Sequence, residues 1–353
     1  MKKIILMSAL FFTHTTSACT AFGAITESGT IIGKNRDYFY GPQKIGLVLP
    51  LQRFHNWHGN HYHHDNQFFA LTASDGVSMG VNKHGLSAIE EDTLRPVDAK
   101  QHRRFFEPKN GTVDGMVLYG VLQNFNTIDE MLPYLASIFS TAAPDFYQFS
   151  DPKKILTVEV AFGNNDADAT RPFKYHVLSK KNDYFTHTNT YMNPQFSSLN
   201  AFASSERSLN GAGNRLKTIT HFISETKRRT IHEAARWFMS TASFVSNQED
   251  KNGCQNTSIF RSDLQGTQSI SLRKQHDKIY GTASSMILSN HGDLTNSEIY
   301  LKMVDSITTD ANGNQLINYK DLRTTLAHLF SGSKLPFMKH QFVRKRPIKG
   351  LCL

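Results

Sequence analysis

Cys19 and Asp37 are the first pair of side chains along the sequence whose types and spacing invite a reaction. The stretch TTSACTAFGAITESGTIIGKNRDY, residues 15–38, sets a thiol directly after small residues and a carboxylate eighteen positions further on. A cysteine that begins a mature chain carries nucleophile and base together. Its thiol attacks, and its own α-amine, with an ordinary pKa of about 7.7–8.0, takes the thiol proton and later hands it to a leaving amine. Such a site needs a carboxylate to hold the amine, a cation to lower the thiol pKa, and donors for the oxyanion of a tetrahedral intermediate. It needs neither a metal nor a cofactor, and none is expected here.

The residues before Cys19 fit that requirement. Met1, Lys2 and Lys3 make a basic start, Ile4 to Phe12 is a mostly apolar run, and Thr16, Ser17 and Ala18 are small where a signal peptidase cuts. The apolar run is short of the about 20 residues needed to cross a bilayer core. Residues 1–18 therefore read as a removed signal peptide and 19–353 as a single catalytic domain, periplasmic or secreted, with no membrane span. A lipoprotein acylated at Cys19 is the competing reading, although the position three before the cysteine is Thr16 and not an aliphatic residue.

Losing 18 of 353 residues leaves ample chain for a large core. The formal charge of +9 includes Lys2 and Lys3 and is spread along the sequence apart from Arg344, Lys345 and Arg346. There is no basic helix interleaved with aromatics and no zinc-knuckle spacing, so nucleic acid is excluded as the expected partner. The three cysteines, Cys19, Cys254 and Cys352, suit an exported chain in which Cys19 stays outside any disulfide; whether the other two pair is left open.

The elements that would position this chemistry alternate between strands and helices. Strands are expected over 20–25, 29–35, 47–49, 68–74, 77–81, 86–89, 155–162, 174–178, 184–191, 268–272, 279–288 and 299–304. Helices are expected from Val113, from the capping box Thr127 to Glu130, over 213–226, from a second box Thr230 to Glu233, and over 319–330. Two sheets with two helical layers accommodate this order.

The opening CTAFGAITESGTIIGKNRDY resembles that of the cysteine-type N-terminal nucleophile hydrolases that cleave linear amides. That group contains choloylglycine hydrolases, penicillin V acylases and isopenicillin N acyltransferases. The likeness rests on Cys-Thr followed by Gly-x-Asn-x-Asp, here Gly33 to Asp37, on GVNKHGL at 80–86, and on VLYGVLQNFNTIDEMLPYL at 117–135. FTHTNTYMNP at 185–194 and GNRLKTITHF at 213–222 extend it, weakening beyond about residue 245. The resemblance implies an α+β fold, an αββα four-layer sandwich with two mainly antiparallel sheets between helices. It also implies a small-molecule N-acyl amide substrate and the catalytic residues Cys19, Asp37, Asn189 and Arg215. Arg207 is the alternative arginine, an acyltransferase is the alternative activity, and association into a homo-oligomer stays open.

Three stretches depart from the family pattern. Lys34 stands where arginine is usual, and strand alternation turns Lys34 and Arg36 together, away from Asn35 and Asp37, so a cation facing the thiol is not expected there. Glu90, Glu91 and Asp92 occupy the neighbourhood of an oxyanion-binding asparagine; carboxylates cannot donate to an oxyanion, and an exposed acidic turn is expected. His55, His58, His61, His63 and His64 crowd one stretch, read as a solvated loop without metal because no second ligand cluster follows.

Overall fold

The computed structural model describes residues 19–39, 44–48, 64–73, 76–94, 114–162, 170–202, 206–226, 280–311 and 315–344. The expected elements at 230–239 and 268–272, as well as Cys254, Cys352 and His55 to His63, lie outside them.

Two seven-stranded antiparallel sheets form the centre. The first contains β1 (Thr20–Ile25), β2 (Thr30–Phe39), β10 (Tyr184–His187), β11 (Tyr280–Asn290), β12 (Glu298–Thr309), β13 (Gln315–Thr325) and β14 (Met338–Arg344). Its order is β10-β1-β2-β11-β12-β13-β14. The second runs in sequence order through β3 (Lys44–Val48), β4 (Phe68–Ala73), β5 (Gly76–Asn82), β6 (Ser87–Asp92), β7 (Asp145–Ser150), β8 (Ile155–Val160) and β9 (Phe173–Leu178).

Strand β1 is covered on both faces, which explains why it reads as an apolar run and not as an alternation. Ala21 of β1 and Ile32 of β2 pack between the sheets against Phe69, Leu71, Met79 and Ile89. Phe22 and Ala24 face the other way, under Ile219, Phe222 and Ile223 of a long helix, Glu206–Thr226. Helix α1 (Asp114–Asn124) covers the outer face of the second sheet through Val117, Leu118, Val121 and Leu122. Short helices α2 (Ile128–Met131) and α3 (Leu135–Phe139) follow it; the long helix is α4, and α5 (Leu326–Phe330) comes late. The layers are helix, sheet, sheet, helix, as expected. Each large apolar side chain buried between them stabilises the fold by about 1.5–3 kcal/mol.

Local chemistry fixes the connections. Thr127 caps α2 by accepting from the Glu130 N–H at 3.2 Å, while the Glu130 carboxylate accepts from Asn126 N at 2.8 Å, one residue earlier than a regular capping box. In the GVNKHGL turn, Asn82 Oδ1 accepts from the N–H groups of His84 and Leu86, and its Nδ2 donates to the carbonyls of Leu122 and Phe125 at the end of α1. Gly85 sits at φ +87°, where a side chain is strained. Gly33 serves close approach instead, because a Cβ there would meet the Phe22 ring at 2.6 Å.

Three expectations are corrected. The segment expected as a helix over 319–330 is strand β13 until Thr325, held between β12 and β14, and only its last turn is helical. Strands β7 and β14 were not anticipated. Glu90, Glu91 and Asp92 belong to β6, with Glu90 and Glu91 buried, so they do not form an exposed turn. No helix among the described residues is long and apolar enough to cross a membrane.

Candidate active site

Cys19 stands immediately before β1, 1% exposed. Thr20 pairs with Asn35 and Ala21 with Lys34, so β2 runs on past the start of β1 and carries Arg36 and Asp37 to the amino side of Cys19. A bulge in β11 between Thr282 and Ser284 falls opposite Arg36 and Asp37, and all of Asn35, Arg36 and Asp37 are buried. Asn35 accepts from the Ser285 hydroxyl, which ties the Gly33–Asp37 motif to β11.

Ala21 faces the space between the sheets, and its register partner Lys34 enters the same space. There the Lys34 ammonium, fully buried, lies 2.8 Å from Glu90 Oε1 and 3.4 Å from the Ser78 carbonyl. Burial alone would depress its pKa, but Glu90 and the Cys19 thiol beside it raise it. The cation that strand alternation seemed to turn away from the thiol is therefore next to it. Two-residue spacing sets Cys19 on the Ala21 face, the face of Lys34, and Asp37 on the other. Burial pushes the Cys19 thiol up to about 12 in the intact chain; Lys34 opposes this, and Glu90, Asp92 and Glu91 add to it.

Helix α4 brings the remaining pair. Thr186 and Thr220 share a hydroxyl hydrogen bond at 2.7 Å, and the Thr188 hydroxyl donates to the Ala212 carbonyl at 3.3 Å, docking α4 along β10. Arg215 is thereby buried, with Nη2 2.8 Å from Asn189 Oδ1 and 3.5 Å from the Cys19 carbonyl oxygen. Asn189 Nδ2 donates to the Asp92 carbonyl at 2.6 Å, and the Asn189 carbonyl accepts from Leu94 N at 3.0 Å. Residues 19, 92, 189 and 215 thus converge on one place. Arg207 lies in the first turn of α4, and its side chain is outside the described residues. His64, from the histidine-rich stretch, sits 3.4 Å from Glu130 beside α2, and no group of ligating side chains among the described residues could hold a metal.

Sequence reasoning missed one cluster next to this site. His187, the register partner of Ala21, is buried with Nδ1 3.0 Å from Glu91 Oε2 and Nε2 3.6 Å from Glu159 Oε1. These are ion-pairing distances without well-aligned hydrogen bonds. A cleft of about 440 Å³ opens beside β9 and β10, lined by Gln148, Glu159 and His187 below and by Tyr175, Tyr184 and Met192 at its exposed lip. A lone histidine at a strand end carries no signal of this in the sequence, since its two glutamates come from β6 and β8.

No protein-family model matches the chain, and no curated protein matches it significantly. Among solved structures, one variant of the conjugated bile acid hydrolase from Clostridium perfringens aligns over 93% of this chain and 99% of its own, at 12% identity and a TM-score of 0.49. A second mutant of that hydrolase aligns over 94% and 99%, at 11% identity and 0.48. An N-acylethanolamine-hydrolyzing acid amidase ortholog from Caenorhabditis elegans aligns over 78% and 94%, at 13% identity and 0.38.

Proposed function

We propose that the chain is an exported amide hydrolase whose nucleophile is Cys19, freed as the first residue by removal of residues 1–18. The carrying observation is the Arg215 guanidinium spanning Asn189 Oδ1 at 2.8 Å and the Cys19 carbonyl at 3.5 Å, with the Lys34 charge drawing down the thiol pKa on the other side. In the intact chain burial keeps that thiol protonated at neutral pH, so reactivity belongs to the trimmed form.

The chemistry then runs as follows. The α-amine, held by Asp37 from the end of β2, takes the thiol proton, and the sulfur attacks the amide carbonyl. The tetrahedral oxyanion is met by one N–H of Asn189 and by the positive field of Lys34 and Arg215. Collapse breaks the C–N bond, the ammonium gives its proton to the departing amine, and a thioester remains. Water, activated by the same α-amine, attacks the thioester, releases the carboxylic acid and returns the proton to sulfur. An added amine acceptor replacing water would make the same site an acyltransferase.

Intact mass of the exported chain and turnover of a panel of N-acyl amines and N-acyl amino acids test this. A chain beginning at Cys19 that hydrolyses members of the panel, and loses this with Cys19→Ser, supports it. A species heavier by a diacylglycerol identifies a lipoprotein instead, and equal turnover by Cys19→Ser removes Cys19 from the mechanism.

A further inference from the structure

We propose that the cleft between β9 and β10 is a second ligand site, one that takes a small aromatic carboxylate carrying a hydroxyl at its far end. None of Cys19, Asp37, Asn189 and Arg215 lines it, so the site goes beyond the proposed reaction and does not depend on it.

Strand order opens the layer at this point. Among the described residues β10 ends the first sheet and β9 the second, so the space between the sheets meets solvent along these two edges. The sequence alternates to match. Leu156, Val158 and Val160 of β8, with Phe173 and Val177 of β9, pack into the core under α1, which turns Thr157, Glu159, Lys174 and His176 to the inner face. Apolar side chains there would extend the core. These polar ones instead line a cleft of about 440 Å³, within the about 300–1,000 Å³ of small-molecule sites. Phe185, packed on Ile155 and Leu178, bounds one end, and the Phe146 ring against His187 bounds the other.

The buried end suits a hydroxyl. Gln148 and His187 meet at Glu91 Oε2, through Gln148 Nε2 at 3.3 Å and His187 Nδ1 at 3.0 Å. With Nε2 turned that way, the Gln148 amide presents an Oε1 that has no donor, and His187 Nε2, 3.6 Å from Glu159 Oε1, has no aligned acceptor. Gln148 is 1% exposed and His187 6%, and both line the cleft. A hydroxyl donates to the first and accepts from the second at once, which neither an ammonium nor a bare ring edge can do.

The mouth suits an anion. Register sets Gln148, Thr157 and His176 in one row across β7, β8 and β9, about 9.5 Å from first to last at the usual strand spacing, enough for one ring with a short acid chain. Lys174 shares the inner face of the edge strand with His176, and both are exposed, with no ion pair among the described residues. Glu159 does not offset the Lys174 charge, because it accepts from the backbone N–H groups of Met192 and Asn193 at 3.1 Å and faces His187. Tyr175, Tyr184 and Met192 at the lip offer two rings and a thioether to an aromatic ligand.

Titration of the full chain, labelled with carbon-13 at its methionine methyls, tests this. The Met192 methyl is the reporter, assigned by its loss in Met192→Leu. Three probes are compared: para-hydroxyhydrocinnamate, hydrocinnamate, which lacks the hydroxyl, and tyramine, which has an ammonium in place of the carboxylate. The first should shift the resonance saturably, with a dissociation constant on the order of 1 mM or tighter. Hydrocinnamate should bind about tenfold more weakly, and tyramine should not bind. Lys174→Ala, at an exposed position, should weaken the first probe about tenfold, and Gln148→Leu should bring the two acids to equal affinity. No saturable shift, equal affinity of the two acids for the wild type, tyramine binding as tightly as the hydroxy acid, or an unchanged dissociation constant in Lys174→Ala overturns the proposal. If Gln148→Leu does not fold, the two acids on the wild type and Lys174→Ala decide. No readout needs amide turnover, so failure of the N-acyl panel and failure of this proposal are read separately.

Discussion

The layer between the two sheets has an apolar region and a charged one, and the same strands build both. On β2, Ile32 lies in the apolar part and Lys34, one pleat further, in the charged part; on β6 the same step leads from Ile89 to Glu91. Residues two apart share a face at a separation of about 6.5–7 Å, so the change of environment is abrupt. The apolar region gains stability from burying hydrocarbon. The charged region buries Lys34, Glu90, Glu91 and His187, whose mutual pairing roughly offsets desolvation at best. Well-packed hydrocarbon of similar volume would serve stability there as well or better.

Substitutions in the two regions should therefore fail differently. The largest effect is expected from Cys19→Ser, a loss of roughly 10³-fold or more in kcat/KM with little change in the unfolding midpoint, measured by panel turnover and calorimetry. Phe69→Ala in the apolar region should show the reverse, costing about 3–5 kcal/mol in urea unfolding. Lys34→Met should do both, removing the ammonium 2.8 Å from the buried Glu90 carboxylate at a cost of about 3–5 kcal/mol; a further Glu90→Leu change should restore stability but not turnover. Arg215→Lys, which cannot span Asn189 and the Cys19 carbonyl in the same way, should lower kcat by about 10²-fold. The smallest effect, about 1 kcal/mol, is expected from Thr127→Ala at the α2 cap, with kinetics unchanged.

Stability against pH separates the regions again. His187 has a folded pKa of about 9, above its ordinary 6.5. Its contribution is complete below pH 6.5 and is lost as pH rises through 9. Urea midpoints should fall across that window in the wild type and fall less in His187→Gln.

The hairpin of β1 and β2, the layer order and helix α1 were legible because turn residues and apolar runs mark them. Strand β7 was not, because DFYQFS carries buried polar residues whose partners are distant: Asp145 accepts from Thr93 N at 3.0 Å, and Ser150 meets Ser87 at 2.7 Å. The stretch at 319–330 misled by coincidence of period. Tyr319, Leu322, Leu326 and Leu329 have helical spacing, yet Leu322 enters the layer between the sheets while Tyr319, on the opposite face, lies under the Lys302 ammonium. Pairing on both edges overrode the local preference. At the site, Asn189 and Arg215 were readable only through the resemblance. Lys34 was misjudged because Asp37 was assumed to share a face with the thiol. The Glu159–His187–Glu91 clamp, drawn from three strands, has no linear signature.

Arg215 grips residue 19 by its carbonyl, the side of the residue that proteolysis after Ala18 leaves untouched. The guanidinium anchor is thus in place with residue 18 still attached, and the cleavage proposed above would only have to uncap a nitrogen. The hold on residue 19 would therefore be the same before and after that cut, so gaining a free amine there would call for no refolding around Arg215.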